Sequence, residues 1–172
     1  MARKIVVVGG SGSGKTTVAR RLAAMNDLPY VELDALHWGP NWSACPQDEF
    51  RARVEDAITR DAWIVDGDYT GKLGDLVLQR ADLVVWLDLP LRETLPRLWS
   101  RTRRRMRERT VLWGGNRETW RDVLFSRDSL FVYTLRTHHG KRRRYVQRLT
   151  RYRMVRLESA NEIEAWLAEG LT

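Results

Sequence analysis

Eight residues, Gly9-Gly10-Ser11-Gly12-Ser13-Gly14-Lys15-Thr16, constrain what this chain can fold into more than any other stretch. They lie between Lys4–Val8, a β-branched apolar run that reads as a buried strand, and Lys15–Met25, where Val18, Leu22 and Met25 share one helical face. A strand that runs through glycines into a helix is the context in which G-x-x-x-x-G-K-[ST] binds phosphate. Glycines let successive backbone N–H groups turn inward around phosphate oxygens, and the helix N-terminus adds its partial positive charge. Gly10, Ser11, Gly12, Ser13, Gly14, Lys15, Thr16 and Thr17 are therefore the candidate nucleotide contacts. Lys15 is expected to reach the β- and γ-phosphates and the Thr16 hydroxyl to ligate Mg²⁺.

The rest of the chain repeats the alternation of strand and helix. Tyr30–Leu33, Ala62–Val65, Asp82–Leu87 and Met154–Leu157 read as further strands. Gln47–Arg60, Thr70–Arg80, Leu91–Arg109, Arg117–His139, Lys141–Arg151 and Ser159–Ala168 read as helices, and Asp34–Pro46 as a loop rich in Trp, Gly and Pro. This order implies an α/β fold with a parallel sheet covered on both faces. At 172 residues, without a repeat or a linker, it reads as one domain spanning 1–172, with a helical insert over about 101–126 that can act as a lid. One cysteine, Cys45, excludes an internal disulfide and fits a reducing compartment, and no stretch is apolar enough to span a membrane. The reading is cytoplasmic.

Charge is unevenly placed. Residues 1–90 hold 10 Lys+Arg against 13 Asp+Glu, a net of −3, while residues 91–172 hold 20 against 9, a net of +11. Most of the excess is arginine, which suits bidentate contact with phosphate oxygens. Two classes of ligand fit: a small polyphosphate, or nucleic acid. No N-K-x-D guanine-reading run is present, so ATP is the expected nucleotide, and the short chain has no second domain for motor work. A kinase is the reading that remains. The alternative is a nucleic-acid-binding P-loop ATPase that uses Arg142, Arg143, Arg144, Arg148, Arg151 and Arg153 with Tyr145 and Tyr152.

The sequence resembles the adenylate-kinase-related P-loop kinases over essentially its whole length. Within them it is most similar to the small proteins known as DNA topology modulation proteins. The resemblance is carried by G-G-S-G-S-G-K-T-T at 9–17, L-D-A-L-H-W at 33–38 with Pro40 and Trp42, W-I-V-D-G-D-Y at 63–69, V-V-W-L-D-L-P at 84–90 and the arginine-rich 97–109. The first motif is widespread; the Asp34–Trp42 loop combined with Asp66–Tyr69 is more selective. The resemblance implies a five-stranded parallel sheet in the order 2-3-1-4-5, a mobile lid, and backbone contact with adenine near Ser159-Ala160-Asn161. Nucleoside monophosphate kinases usually carry D-G-F-P-R after the third strand, with the arginine on the acceptor's phosphate. Here the run is Asp66-Gly67-Asp68-Tyr69-Thr70, with Lys72 the nearest following cation. The Asp34–His37 loop is instead similar to that of gluconate and shikimate kinases, which phosphorylate a hydroxyl.

The remaining candidates follow from position. Asp34, after the second strand, can accept the acceptor hydroxyl's proton, and Asp66 and Asp88, ending the third and fourth strands, are rival Mg²⁺ ligands. His37, Trp38, Trp42, Asp68 and Tyr69 are candidate acceptor contacts, since aromatic walls with polar tips suit a small-molecule pocket. Arg97, Arg101 and Arg105 share a helix face, and Arg101, Arg105, Arg117, Arg121 and Arg127 are candidate clamps on the transferring phosphoryl group, Arg101 and Arg127 foremost. Trp63, Trp86 and Trp166 are expected in the core.

Overall fold

Alternate residues of the strands separate into two apolar layers, and the chain folds around that separation. The computed structural model describes residues 2–119 and 130–171. Strands β1 (Lys4–Gly9), β2 (Tyr30–Glu32), β3 (Trp63–Asp66), β4 (Leu83–Leu87) and β5 (Met154–Leu157) form an all-parallel sheet in the order β2-β3-β1-β4-β5. Val6, Val8, Trp63, Val65, Val84 and Trp86 point to one layer, and Ile5, Val7, Ile64, Leu83, Val85 and Leu87 to the other. The period of two in side-chain direction thus buries both faces.

The first layer is covered by α3 (Gln47–Ala57), through Phe50 and Val54, and by α7 (Leu130–Leu149), through Tyr145 and Leu149. The second is covered by α1 (Lys15–Asn26), through Val18, Ala19 and Leu22, and by α8 (Ala160–Glu169), through Ile163 and Leu167. Trp63 and Trp86 are buried as expected; Trp166 is half-buried and packs against the second layer. Ser159 caps α8, its Oγ accepting from Glu162 N at 3.2 Å, while Glu162 reaches back to Glu158 N at 2.9 Å.

Three departures from the sequence reading bear on the site. The Asp34–Pro46 stretch is not simply a loop: it opens with helix α2 (Leu33–His37) and passes through a 3₁₀ turn at Pro40–Trp42. Helix α2 has no side-chain cap; burial of Leu33 and His37 beneath it holds it instead. Thr70–Arg80 splits into α4 (Thr70–Leu73) and α5 (Leu76–Arg80) at Gly74-Asp75. The third departure is α7, which runs unbroken through Gly140, where two helices were predicted. The predicted start of that helix at Arg117 does not hold for residues 117–119, and residues 120–129 lie outside the described part.

Helix α7 and the turn after it are tied to the segments that follow β3 and β4. Tyr145 Oη donates to Asp68 at 2.7 Å, Arg148 Nε to Asp75 at 2.5 Å, Tyr152 Oη to Asp75 at 2.9 Å, and Arg142 Nε to Asp88 at 2.8 Å. Burial opposes ionisation of Asp68, but hydrogen bonds from Thr70 and Tyr145 and the charges of Lys141 and Arg148 outweigh it and hold the carboxyl below its usual range. Removing the Tyr145 hydroxyl leaves a buried carboxylate one donor short. Tyr145→Phe is therefore expected to lower stability by about 2 kcal/mol in a denaturant titration, with the unfolding slope unchanged.

Candidate active site

All five strands end at the same edge of the sheet, and the candidate residues gather there. The phosphate loop leaves β1 at Gly9 and enters α1 at Lys15. Gly12 has φ +78°, and a β-carbon on it would lie 2.4 Å from Thr94 O of helix α6 (Leu91–Arg107), so only glycine fits. Ser13 Oγ and Lys15 Nζ each donate to Gly10 O at 2.9 Å, which curls the loop around its own centre. Burial lowers the pKa of the Lys15 ammonium, Asp66 opposes that shift, and Lys141 adds to it.

Thr16 and Asp66, chosen separately from the sequence, meet. Thr16 Oγ1 donates to Asp66 Oδ2 at 2.6 Å, and Tyr30 Oη donates to the same oxygen at 3.2 Å. Burial raises the Asp66 pKa; Lys15 and the two hydroxyls lower it again only in part. No three of His, Cys, Asp and Glu converge as a metal cage among the described residues. A hydroxyl and one carboxylate side by side fit Mg²⁺, which binds through one or two carboxylates, waters and phosphate oxygens. Asp88 does not join them. It accepts from Arg142 at 2.8 Å and from Arg156 Nε at 2.9 Å, so two guanidinium groups already offset its charge.

On the β2 side, Tyr69 Oη donates to Asp34 Oδ1 at 2.5 Å. Behind this pair His37 is 3% exposed and ringed by Trp38, Phe50 and Tyr69, with centroids 4.7 to 4.8 Å away. Its Nδ1 is buried without a hydrogen-bond partner in the described residues, and burial, with Lys72 nearby, lowers its pKa and favours the neutral ring. Lys72 Nζ lies 3.4 Å from His37 Nε2 and 3.4 Å from Cys45 O, at the outer limit of hydrogen bonding. Trp38 and Trp42 meet edge to face at 5.8 Å. Asp68, with Tyr145, Thr70 and Arg148 around it, ties α7 to the segment after β3.

The arginines divide. Arg97 is exposed and pairs with Glu93, while Arg105 pairs with Glu118 at 2.9 Å. The charge of Arg101 is felt at Lys15, Asp34 and Asp66. Its Nε is buried without a hydrogen-bond partner in the described residues, and burial and Arg105 lower its pKa against the pull of Glu118, Asp34 and Asp66. Arg117 is exposed; Arg121 and Arg127 lie outside the described residues. Asn161 is exposed on the first turn of α8. Sequence reasoning missed Lys141, which shares a groove with Gly10, Ser11 and Thr94 and whose charge is felt by both Lys15 and Asp68. Its signal was hidden in the run Lys141–Arg144, which reads as a solvated face until α7 is seen to be continuous.

Sheet order, phosphate loop and helices together define the fold of the small P-loop kinases. The structure is similar to a gluconokinase from Sinorhizobium meliloti at 22% identity, with a TM-score of 0.55 over 97% of this chain and 92% of that one. It is similar to a shikimate kinase from Bacteroides thetaiotaomicron at 15% identity, with a TM-score of 0.58 over 96% and 94%. A shikimate kinase from Acinetobacter baumannii, solved in complex with shikimate, matches at 18% identity with a TM-score of 0.53 over 95% and 88%. These likenesses are ones of fold. No protein-family profile and no curated protein matches the chain.

Proposed function

We propose that this chain is a phosphotransferase that moves the γ-phosphoryl group of ATP·Mg²⁺ to a hydroxyl of a small metabolite, and that it belongs with the DNA topology modulation-like proteins among the small P-loop kinases. One observation carries the reading: the Thr16–Asp66 pair and the Asp34–Tyr69 pair stand at the same sheet edge, and the charge of Arg101 is felt by both acids. The loop amides and Lys15 would hold the phosphates, and Thr16 and Asp66 would hold a metal ion, which when bound would offset phosphate charge. Asp34, oriented by Tyr69, takes the proton of the acceptor hydroxyl as its oxygen bonds to phosphorus and the bond from phosphorus to the β-phosphate oxygen breaks. Arg101 and Lys141 face the charge that spreads over the transferring group. The names of the solved neighbours, gluconokinase and shikimate kinase, support a hydroxyl acceptor over a nucleoside monophosphate.

Binding of nucleic acid is the weaker reading. Arg142, Arg148 and Arg156 are paired with Asp88, Asp75, Asp68 and Glu158, which already offset part of their charge. Among the described residues no helix is long and apolar enough to cross a membrane, and with the free, buried Cys45 this supports work in the cytoplasm. The reading is tested by screening sugars, sugar acids, cyclic hydroxy acids, nucleosides and nucleotides for acceptor-dependent ADP formation. A hydroxyl compound is expected to score. ATP turnover stimulated by polynucleotide and by no small molecule, falling steeply with salt, would overturn it.

A further inference from the structure

The segment that follows Arg101 and the loop that follows Asp34 are stitched together at one side chain. Asn116 is 6% exposed. Its Nδ2 donates to Gly39 O at 2.8 Å and to Trp113 O at 2.6 Å, and its Oδ1 accepts from Trp42 N at 3.0 Å. Its backbone carbonyl accepts from Leu112 N at 2.7 Å, which closes the turn that presents Trp113. Gly114, with φ +66°, lies flat on the other loop: a β-carbon there would fall 2.4 Å from Gly39 C and 2.7 Å from Pro40 N. The indoles of Trp42 and Trp113 meet at 6.4 Å, extending the line of rings that starts at His37 and Trp38. Two residues beyond Asn116, Glu118 holds Arg105, whose charge bears on Arg101.

We propose that Trp113 is a wall of the acceptor subsite and that Asn116 is the positioning residue that brings it there, clasping the acceptor loop to the segment tied to Arg101 so that the two close as one body. The proposal rests on the reading of Asp34–Trp42 as the acceptor loop. Asn41 and Trp42 have φ of 54° and 55°, a region that non-glycine residues avoid. The Asn116 bond to Trp42 N–H rewards that conformation only while the clasp is made. A buried amide that loses some of its partners is left unsatisfied, which favours making the two bonds across to Gly39 and Trp42 together. The occupant follows from the walls. Indole edges, a neutral imidazole and one carboxylate suit a hydroxyl compound with a flat face, rich in C–H groups or aromatic, and offer little to an open-chain acid. Cyclic polyols and nucleosides share that chemistry. With the clasp closed, water is kept from the phosphoryl group.

The test compares Asn116→Ala and Gly114→Ala with the unaltered chain; the two variants break the clasp through different atoms. Amide exchange is expected to quicken at 39–44 and 112–116 together, and not in the phosphate loop. ATP·Mg²⁺ hydrolysis without acceptor, with water as the probe, is expected to rise severalfold at unchanged KM for ATP, and to vanish when Lys15→Ala is added. Glucose, myo-inositol and adenosine are then assayed as separate acceptors. The arm that turns over identifies the source, and Trp113→Ala is expected to raise its KM about tenfold, a loss near 1.4 kcal/mol, with kcat held. Faster exchange with hydrolysis and acceptor KM unchanged would overturn the proposal and leave Asn116 a structural stitch. Transfer only to open-chain acids would overturn the acceptor class. Hydrolysis that survives Lys15→Ala, or transfer that survives Asp34→Asn, would instead strike the kinase reading beneath it.

Discussion

Lys15→Ala is expected to lower phosphoryl transfer by about 10³-fold or more, a loss of roughly 4 kcal/mol in transition-state stabilisation, while the protein stays folded. The side chain donates a hydrogen bond to Gly10 O at 2.9 Å, within the loop itself. Losing such a bond costs about 1 kcal/mol, and burial already disfavours the ammonium, so little stability is at stake. The catalytic loss is large for a different reason. On the proposed reading the ammonium faces the β- and γ-phosphates, and a charge that exists before the reaction needs no reorganisation during it. The measurement is acceptor-dependent ADP formation alongside thermal unfolding. Turnover close to that of the unaltered chain, with the unfolding midpoint unchanged, would remove the phosphate-loop assignment.

Asp34→Asn is expected to reduce transfer by about 10²- to 10⁴-fold, the range that a positioned general base contributes. Binding of ATP·Mg²⁺ should change by no more than about twofold, because the Asp34 carboxylate takes its hydrogen bond from Tyr69 and none from the phosphate loop. Asparagine retains an oxygen for the Tyr69 hydroxyl, so the geometry persists while the basicity is lost. Asp66→Asn provides the contrast. It removes the carboxylate beside Thr16 Oγ1 and should weaken the Mg²⁺ dependence of nucleotide binding itself. Nucleotide titrations with and without Mg²⁺ separate the two. Loss of nucleotide binding in Asp34→Asn would reverse the roles assigned here.

The parts of this site that were legible in the sequence are those whose chemistry is local. The glycine spacing of residues 9–16 dictates a loop that only certain backbone angles permit, and the apolar runs on either side dictate the elements it joins. The sheet order came through resemblance, since pairing among parallel strands depends on crossovers that leave no local trace. Asp66 and Asp88 look alike in the sequence, because each stands at the end of a strand that pairs with β1, and the sequence reading favoured Asp66. What divides them is Arg142 and Arg156, which come from distant parts of the chain to claim Asp88. Asp68 likewise has a partner the sequence does not show, Tyr145, 77 residues away. Lys141 was overlooked because a glycine before it suggested a break in the helix, and tertiary contacts along α7 carry the helix through that glycine.

The contact between Gly12 and helix α6 has a metric consequence. Thr94 O rests against the phosphate loop, and Arg101 stands seven residues further along the same helix. Seven residues are nearly two full turns, a rise of about 10 Å, so Arg101 returns almost to the azimuth of Thr94. The helix therefore acts as a ruler with its zero mark on the loop that cradles phosphate, and the guanidinium is held at a set height above it. Inserting one residue between Thr94 and Arg101 would turn the guanidinium by about 100° around the helix axis, and a longer or shorter side chain at the tip could not undo that rotation.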